Sequence, residues 1–357
     1  MHISSILIKI CLVTCFLFGI TQSKALQVDT LADVRILAAG DVMLGSWIDQ
    51  VTRSSGWNYP FMQLDSVVDR ADIFFCNLEA PFGTSGIAFE KTYTFRVSPD
   101  LVQILTAGRI NVVSLANNHM MDYGAEPLQA TMELLDKNNI YHSGAGINLR
   151  EARKPARMEI KGKNISFACY SLTFPEEFWA TDTSAGTCFP SHSFVFRDLK
   201  KFKSDSDLLV VSFHWGGELL TMPKEYQIEL AHQVIDAGAD LILGHHPHVI
   251  QGIEIYQGKV IAYSLGNFIF GSYSESVKES MLLEFQQGVA GIENCRIYPL
   301  LVYNREVEFQ PRLMAGESRG KFFTYLQEIS RELNPQPLVI NDAGWLELKT
   351  EQQNLNP

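Results

Sequence analysis

The sequence predicts an α/β fold, a layered domain built around a largely parallel or mixed sheet. Three observations carry that expectation. Short continuous apolar runs recur along the chain, each ends in a cluster of polar residues and glycine, and helical periodicity resumes between several of them. Apolar runs without alternation are what a strand buried on both faces requires, and their alternation with helices marks stacked α and β layers.

The elements follow in order. Lys9 precedes an apolar stretch from Ile10 to Ile20, and Ser23-Lys24-Ala25 supplies a small-x-small signal. That stretch is too short to span a bilayer and suits the core of a signal peptide over residues 1–25, with an uncleaved anchor as the alternative. Val34–Ala39 is the first strand-like run and ends in Gly40-Asp41. Asp72–Cys76 leads to Asn77-Leu78-Glu79, and Asn111–Leu115 leads to Ala116-Asn117-Asn118-His119 before helical periodicity over Glu126–Leu135. Leu208–Ser212 runs into Phe213-His214-Trp215-Gly216-Gly217 and a helical stretch near Glu225–Ala237. Ala239–Leu243 gives Gly244-His245-His246-Pro247-His248, and Val260–Tyr263 gives Ser264-Leu265-Gly266-Asn267. Beyond Glu275 the chain reads as β-rich (Met281–Phe285, Arg296–Val302, Val307–Phe309), then as an amphipathic helix near Ser318–Leu333 and a loosely held polar tail.

With 357 residues, 46% of them hydrophobic, one large domain or two ordinary ones are open, and the lack of a Pro/Ser-rich linker favours one. The expected boundaries are a main domain over 26–315 with its core at 34–275, and a helix with a tail over 316–357. A formal net charge of −11 excludes sequence-independent nucleic-acid binding, which needs surplus Lys and Arg to displace phosphate counterions. An anionic substrate would have to be met by a metal or a local basic patch. Beyond the leader, Cys76, Cys169, Cys188 and Cys295 form no C-x-x-C pair, and Cys76 and Cys169 read as small core residues.

Every polar cluster falls at the carboxyl end of an expected strand, the rim where open α/β sheets bind ligands. Gathered there, Asp41, Glu79, Asn118, His119, His214, His246 and His248 make a ligand set suited to Mn, Fe or Zn, as one ion or two. A pair of such ions about 3.5–4 Å apart gives a nucleophile at neutral pH and neutralises charge building on a phosphoryl or carboxyl oxygen.

The ordered set is what is specific. Gly40-Asp41-Val42-Met43-Leu44-Gly45, Asn77-Leu78-Glu79, Ala116 through Gly124, His214-Trp215-Gly216, Gly244 through Val249 and Tyr263 through Phe268 together resemble the bacterial poly-γ-glutamate capsule biosynthesis (CapA-type) family; Thr94-Phe95-Arg96 and Gly144-Ala145-Gly146 fit it too. That family is similar to calcineurin-like metallophosphoesterases, so the resemblance implies a four-layer α/β sandwich of the metallophosphoesterase type with two metals at strand ends, here with a β-rich C-terminal elaboration. Carried over, Asp41 matches the first metal-binding aspartate, Glu79 the bridging carboxylate and Asn118 an amide ligand. His214, His246 and His248 match the histidine ligands, and His119 the histidine that hands a proton to the leaving group or stabilises its charge. One position departs from the phosphoesterase pattern: Met43 stands where a ligand histidine is usual, and a thioether is a poor ligand for Mn or Fe.

Four further residues carry chemical expectations. Asp122, one turn beyond His119, can hold its ring and raise its basicity, with an N-cap role near Gly124 as the alternative. Arg96 is a candidate for gripping an anionic group bidentately, with pairing to Asp100 as the alternative. Glu218 reads as a substrate contact, a supporting acid or a solvated loop residue. Asn267 reads as a substrate-side amide that also holds Asp41 or a ligand loop. His142, His192 and His232 read as structural. The leader implies an exported protein, periplasmic or otherwise extracytoplasmic, and the resemblance implies a part in poly-γ-glutamate synthesis or export beside a membrane-bound synthase complex. Its substrate would be a phosphate ester, another polyanionic small molecule, or the glutamyl amide polymer. The rival reading, favoured by Met43, is a non-catalytic scaffold or polymer-handling subunit.

Overall fold

The structure is a computed structural model, and it describes residues 33–289 and 291–348. The leader expected at 1–25 and the last residues of the expected tail lie outside the described residues. No helix of the described residues is long and apolar enough to cross a membrane.

Two mixed sheets form the frame. In the first, β1 (Val34–Val42), β2 (Ile73–Leu78), β3 (Val112–Ser114) and β4 (Tyr141–Ser143) run parallel in that spatial order. On the other side of β1 the antiparallel arm Glu279–Gln287 and Ile292–Leu301 extends the same sheet, which has nine strands among the described residues. The second sheet places Lys259–Ala262, Leu241–His245, Leu208–His214 and Lys163–Ser171 in parallel, with antiparallel edges Ile253–Tyr256 and Ala156–Ile160. Strand Ala156–Ile160 turns into Lys163–Ser171 through Lys161 and Gly162, both with positive φ (52° and 74°), the geometry of a tight primed hairpin.

The side-chain period of 2 sorts each strand's residues between two cores. Along β1, Leu37 and Ala39 face the helices and pack with Ile48, Phe61, Leu105 and Leu128. Ile36 and Ala38 face the other sheet and pack with Phe167, Val210 and Leu243. Val211 and Phe213 of the second sheet meet Val195, Leu199, Ala231 and Val234 of the helices Val195–Ser204 and Glu225–Asp236. Helix, sheet, sheet, helix: the domain is a four-layer α/β sandwich.

The carboxyl-terminal region differs from its sequence reading in two places. Val307–Phe309 is not a strand: Asn304–Val307 is a helical turn, and Glu308 and Phe309 adopt left-handed φ of 46° and 62° while Asn304 Oδ1 accepts from Phe309 N at 2.8 Å. Residues 334–348 are not loosely held. Leu338 and Leu346 are buried in the inter-sheet core, and Trp345–Leu346 pairs with Ile292–Leu301. Polar neighbours hide that apolar pair in the sequence. Helix Gly316–Ile329 sends Phe322, Phe323, Leu326 and Ile329 into the same inter-sheet core.

Candidate metal centre

The ends of the strands converge because glycines let backbones touch. A Cβ on Gly40 would lie 1.8 Å from Gly266 O, and one on Gly244 would lie 1.8 Å from Tyr263 O. Without side chains there, Asp41 N donates to Gly266 O at 3.0 Å and Asp41 pairs in register with Asn267. Strands Leu208–His214 and Leu241–His245 lie side by side with His214 opposite His245.

Asp41 and Glu79 are fully buried, His214 and Asn267 nearly so, and His119 and His246 are 9% exposed. His214 Nε2 is 2.7 Å from Asn118 Oδ1 and 3.5 Å from Glu79 Oε1. His248 Nδ1 lies 3.3 Å from Asp41 Oδ2, and His248 Nε2 lies 3.9 Å from Glu79 Oε1. Atoms 2.0–2.2 Å from a shared ion lie about 3.0–3.5 Å from one another, and the His214–Glu79 spacing falls at that distance. Among the described residues, three trios offer ligand atoms all within 4.8 Å of each other: Asp41–Glu79–His248, Glu79–His214–His246 and Glu218–His246–His248. Glu79 belongs to the first two, which is the place of a bridging carboxylate.

The residues fit a cation on a second ground. Neither carboxylate oxygen of Glu79 and neither ring nitrogen of His245 has a hydrogen-bond partner among the described residues, and His246 Nδ1 lacks one too. Leaving buried polar groups unpaired costs about 1–3 kcal/mol each, more for charges. Electrostatics tell the same story. Burial and the negative charge of Asp41 push the Glu79 carboxyl well above the usual range. Burial also favours the neutral form of Asp41, yet His245 and His248 outweigh it and hold that carboxyl well below its usual value. His248 resists burial, raised to about 10 by Glu79, Asp41 and Asn267, so it is protonated without an ion and must lose that proton to bind one. Burial and the neighbouring His248 lower His246 to about 3, and burial with His246 pushes His214 well down, leaving both rings neutral as ligands must be. His246 and His248 also hold left-handed φ of 94° and 60°, a backbone strain typical of functional loops.

Around this cluster stand residues the sequence reading did not single out. Asn77 Nδ2 donates to Asp41 Oδ1 at 2.8 Å and lies 3.2 Å from His214 Nδ1; Asn117 Nδ2 holds Asn77 Oδ1 at 3.1 Å. Both asparagines sit inside the motifs, one or two residues from a candidate ligand, which was their only signal. His245 Nδ1 is 3.5 Å from Asp41 Oδ1. Lys91 arrives from a long excursion after β2 that gives no local signal. Its Nζ pairs with Asp122 Oδ1 at 2.5 Å, lies 3.2 Å from His119 Nδ1 and sits 5.2 Å from the centre of the Phe178 ring.

The remaining expected residues fall as follows. Asp122 Oδ2 is 2.7 Å from His119 Nδ1 and accepts from Phe95 N at 2.7 Å, whereas helix Ala125–Lys137 starts at Gly124 with no side-chain cap. Of the two roles open to Asp122, the structure therefore shows the histidine partner. Burial lowers the His119 ring's pKa against the opposing pull of Asp122. Arg96 is not brought to the cluster: it donates to Ser85 O and Gly86 O and lies 4.2 Å over the Tyr123 ring, while Asp100 pairs with Arg53 instead. Asn267 Oδ1 is 2.9 Å from His248 Nδ1, so this buried amide orients a ligand loop. Glu218 is exposed and reaches His246 and His248. Met43 is 3% exposed, packs in the helix-side core, and its sulfur accepts from Gly45 N at 3.1 Å. His142 pairs with Asp136, His232 with Glu254, and His192 packs edge-on to Phe196. The four cysteines of the described residues are buried and free.

Frame and cluster together define a four-layer α/β protein whose strand ends carry a candidate divalent-metal centre. The chain belongs to the family described as bacterial capsule synthesis protein PGA_cap, which it matches over residues 35–272. It is 28% identical over 323 residues to the PGA biosynthesis protein CapA of Bacillus subtilis, covering 88% of this chain and 82% of that one. It is 28% identical over 269 residues to the capsule biosynthesis protein CapA of Bacillus anthracis, covering 73% and 66%. A probable polyglutamine synthesis accessory protein of Mycobacterium tuberculosis is 30% identical over 281 residues, covering 66% and 74%. Among solved structures, a hypothetical protein from Thermus thermophilus matches with a TM-score of 0.47 at 16% identity over 74% of this chain and 98% of that one. A 5'-nucleotidase precursor from the same organism matches with a TM-score of 0.47 at 13% identity, over 83% and 59%.

Proposed function

We propose that this chain is a metal-dependent hydrolase acting in poly-γ-glutamate capsule synthesis or export, on a phosphate ester or a glutamyl amide. The observation that carries the reading is Glu79: a buried carboxyl without a hydrogen-bond partner among the described residues, set between an Asp41–His248 side and a His214–His246 side. Asp41, Glu79 and His248 would hold one ion; Glu79, Asn118, His214 and His246 would hold a second. Divalent ions in those places supply a water of lowered pKa and neutralise charge on a phosphoryl or carbonyl oxygen. The protein's own part is positioning. Asn77 fixes Asp41 and Asn267 fixes His248, so the ligand atoms are in place before an ion arrives. With Nδ1 held by Asp122, the His119 imidazolium, the form Asp122 supports against burial, would give its Nε2 proton to the leaving group. Lys91 secures the other oxygen of Asp122. Mn, Fe and Zn all suit this donor set. The relatives' names point to poly-γ-glutamate, and the leader-like residues 1–25 to an extracytoplasmic site beside a membrane-bound synthase.

One observation favours a second reading, a polymer-handling subunit without turnover. Met43 is a core residue, so the first ion position has one protein ligand fewer than the phosphoesterase pattern. The purified chain, stripped by a chelator and reloaded with Mn, is assayed on a generic phosphodiester and on poly-γ-glutamate. Turnover that falls at least 100-fold in Asp41→Asn and His246→Ala supports the hydrolase, since metal-dependent steps lose about that much or more with a ligand. Turnover equal in wild type and variants, or none on either substrate, overturns it and leaves the polymer-handling role.

A further inference from the structure

We propose that Glu218 is a metal ligand, bridging the two ion positions from the solvent side opposite Glu79. This rests on the metal-centre reading above. A Glu218 oxygen lies within 4.8 Å of ligand atoms on both His246 and His248. Those two histidines belong to different positions: His246 groups with Glu79 and His214, His248 with Asp41 and Glu79. A carboxylate that reaches both therefore spans the pair, as Glu79 does from the buried side. It also makes good the ligand that Met43 does not provide, bringing the first position to Asp41, Glu79, His248 and Glu218.

An exposed glutamate is ordinarily a solvated surface group, and three features set this one apart. Its loop is fastened to the segment that carries the histidines: Leu219 N donates to Pro247 O between them at 2.9 Å, and Gln251 Nε2, just beyond, donates to Leu220 O at 2.8 Å. At the loop's start Gly216 N donates to the Tyr226 hydroxyl at 2.8 Å, and Leu219 is held at a left-handed φ of 60°. A free surface loop has no need of that backbone strain. Third, His246 is nine-tenths buried, with Nδ1 lacking a hydrogen-bond partner among the described residues. The trio thus joins an imidazole with an unpaired nitrogen to a carboxylate on a pinned loop.

The full chain, freed of metal, is titrated calorimetrically with Mn²⁺, and its metal content is checked by elemental analysis. Glu218→Gln is compared with wild type and with Glu317→Gln, an exposed glutamate of the C-terminal helix. Wild type and Glu317→Gln should take up two ions, and Glu218→Gln should bind at least one of them about 10–100-fold more weakly, the loss seen even when a supporting partner is removed. Unchanged affinities in Glu218→Gln overturn the assignment. A single ion in wild type overturns the bridge. No ion in wild type sinks the metal-centre reading itself, which is a separate result from an unaltered variant.

Discussion

Replacing Glu79 by Gln separates a functional carboxylate from a structural one, because the two roles predict opposite effects on stability. In the metal-free chain Glu79 makes no hydrogen bond among the described residues, and burial and Asp41 favour its neutral form. Gln keeps the shape of the neutral carboxyl but cannot ionise to meet an ion. The metal-free variant should therefore unfold within about 1 kcal/mol of wild type, since one neutral group replaces another of the same shape. With Mn²⁺ at about 100 times its dissociation constant, one ion stabilises wild type by about 2.7 kcal/mol. At about 2 °C per kcal/mol for a chain of this size, that is a rise in melting temperature of about 5 °C. Glu79→Gln should lose most of that rise. Calorimetric melts with chelator and with Mn²⁺ measure both quantities on one sample. A variant that is more than about 3 kcal/mol less stable without metal, or that keeps the full rise with it, refutes the reasoning.

Other outcomes follow from the same geometry. Gly40→Ala places a methyl carbon 1.8 Å from Gly266 O, so backbone must move; about 1–3 kcal/mol of stability and the tight Mn²⁺ affinity should go together in paired melts and titrations. Met43→His puts a polar ring in the helix-side core, and should cost about 1–3 kcal/mol in urea unfolding without adding an ion to the stoichiometry. Lys91→Met frees one oxygen of Asp122, and should cut turnover about 10-fold or more while calorimetric Mn²⁺ affinity stays as in wild type, given that a general acid contributes about 10²–10⁴. His142 is held neutral by burial despite Asp136, so its folded pKa lies below the unfolded value of about 6.5. Its contribution is whole above pH 6.5 and lost as pH falls below it, and His142→Gln should flatten that part of the melting-temperature profile.

The frame was readable because its strands are buried on both faces. Leu208–His214 and Leu241–His245 are continuous apolar runs, and the polar residues that end them mark the rim. What escaped were elements whose pattern depends on partners far away. Trp345–Leu346 becomes a strand only against Ile292–Leu301, and Asn304 turns Val307–Phe309 away from the sheet through its own side chain. At the centre, Asp41, Glu79, His214, His246 and His248 were legible as charged or imidazole residues at strand ends, where a buried polar group needs a reason. Arg96 was not, because sequence gives its charge and not its direction; the Tyr123 ring and the Ser85 carbonyl hold it elsewhere. Lys91 reaches Asp122 across an excursion with no periodicity, and His245 owes its place to a strand register that puts it beside Asp41.

Anomalous diffraction from crystals of the chain grown with Mn²⁺ tests the centre directly. Two peaks about 3.5–4 Å apart are expected, both about 2.0–2.2 Å from Glu79, one beside Asp41 and His248 and the other beside Asn118, His214 and His246. Density with no anomalous peak among these side chains, or peaks bound only at surface carboxylates, would contradict the assignment.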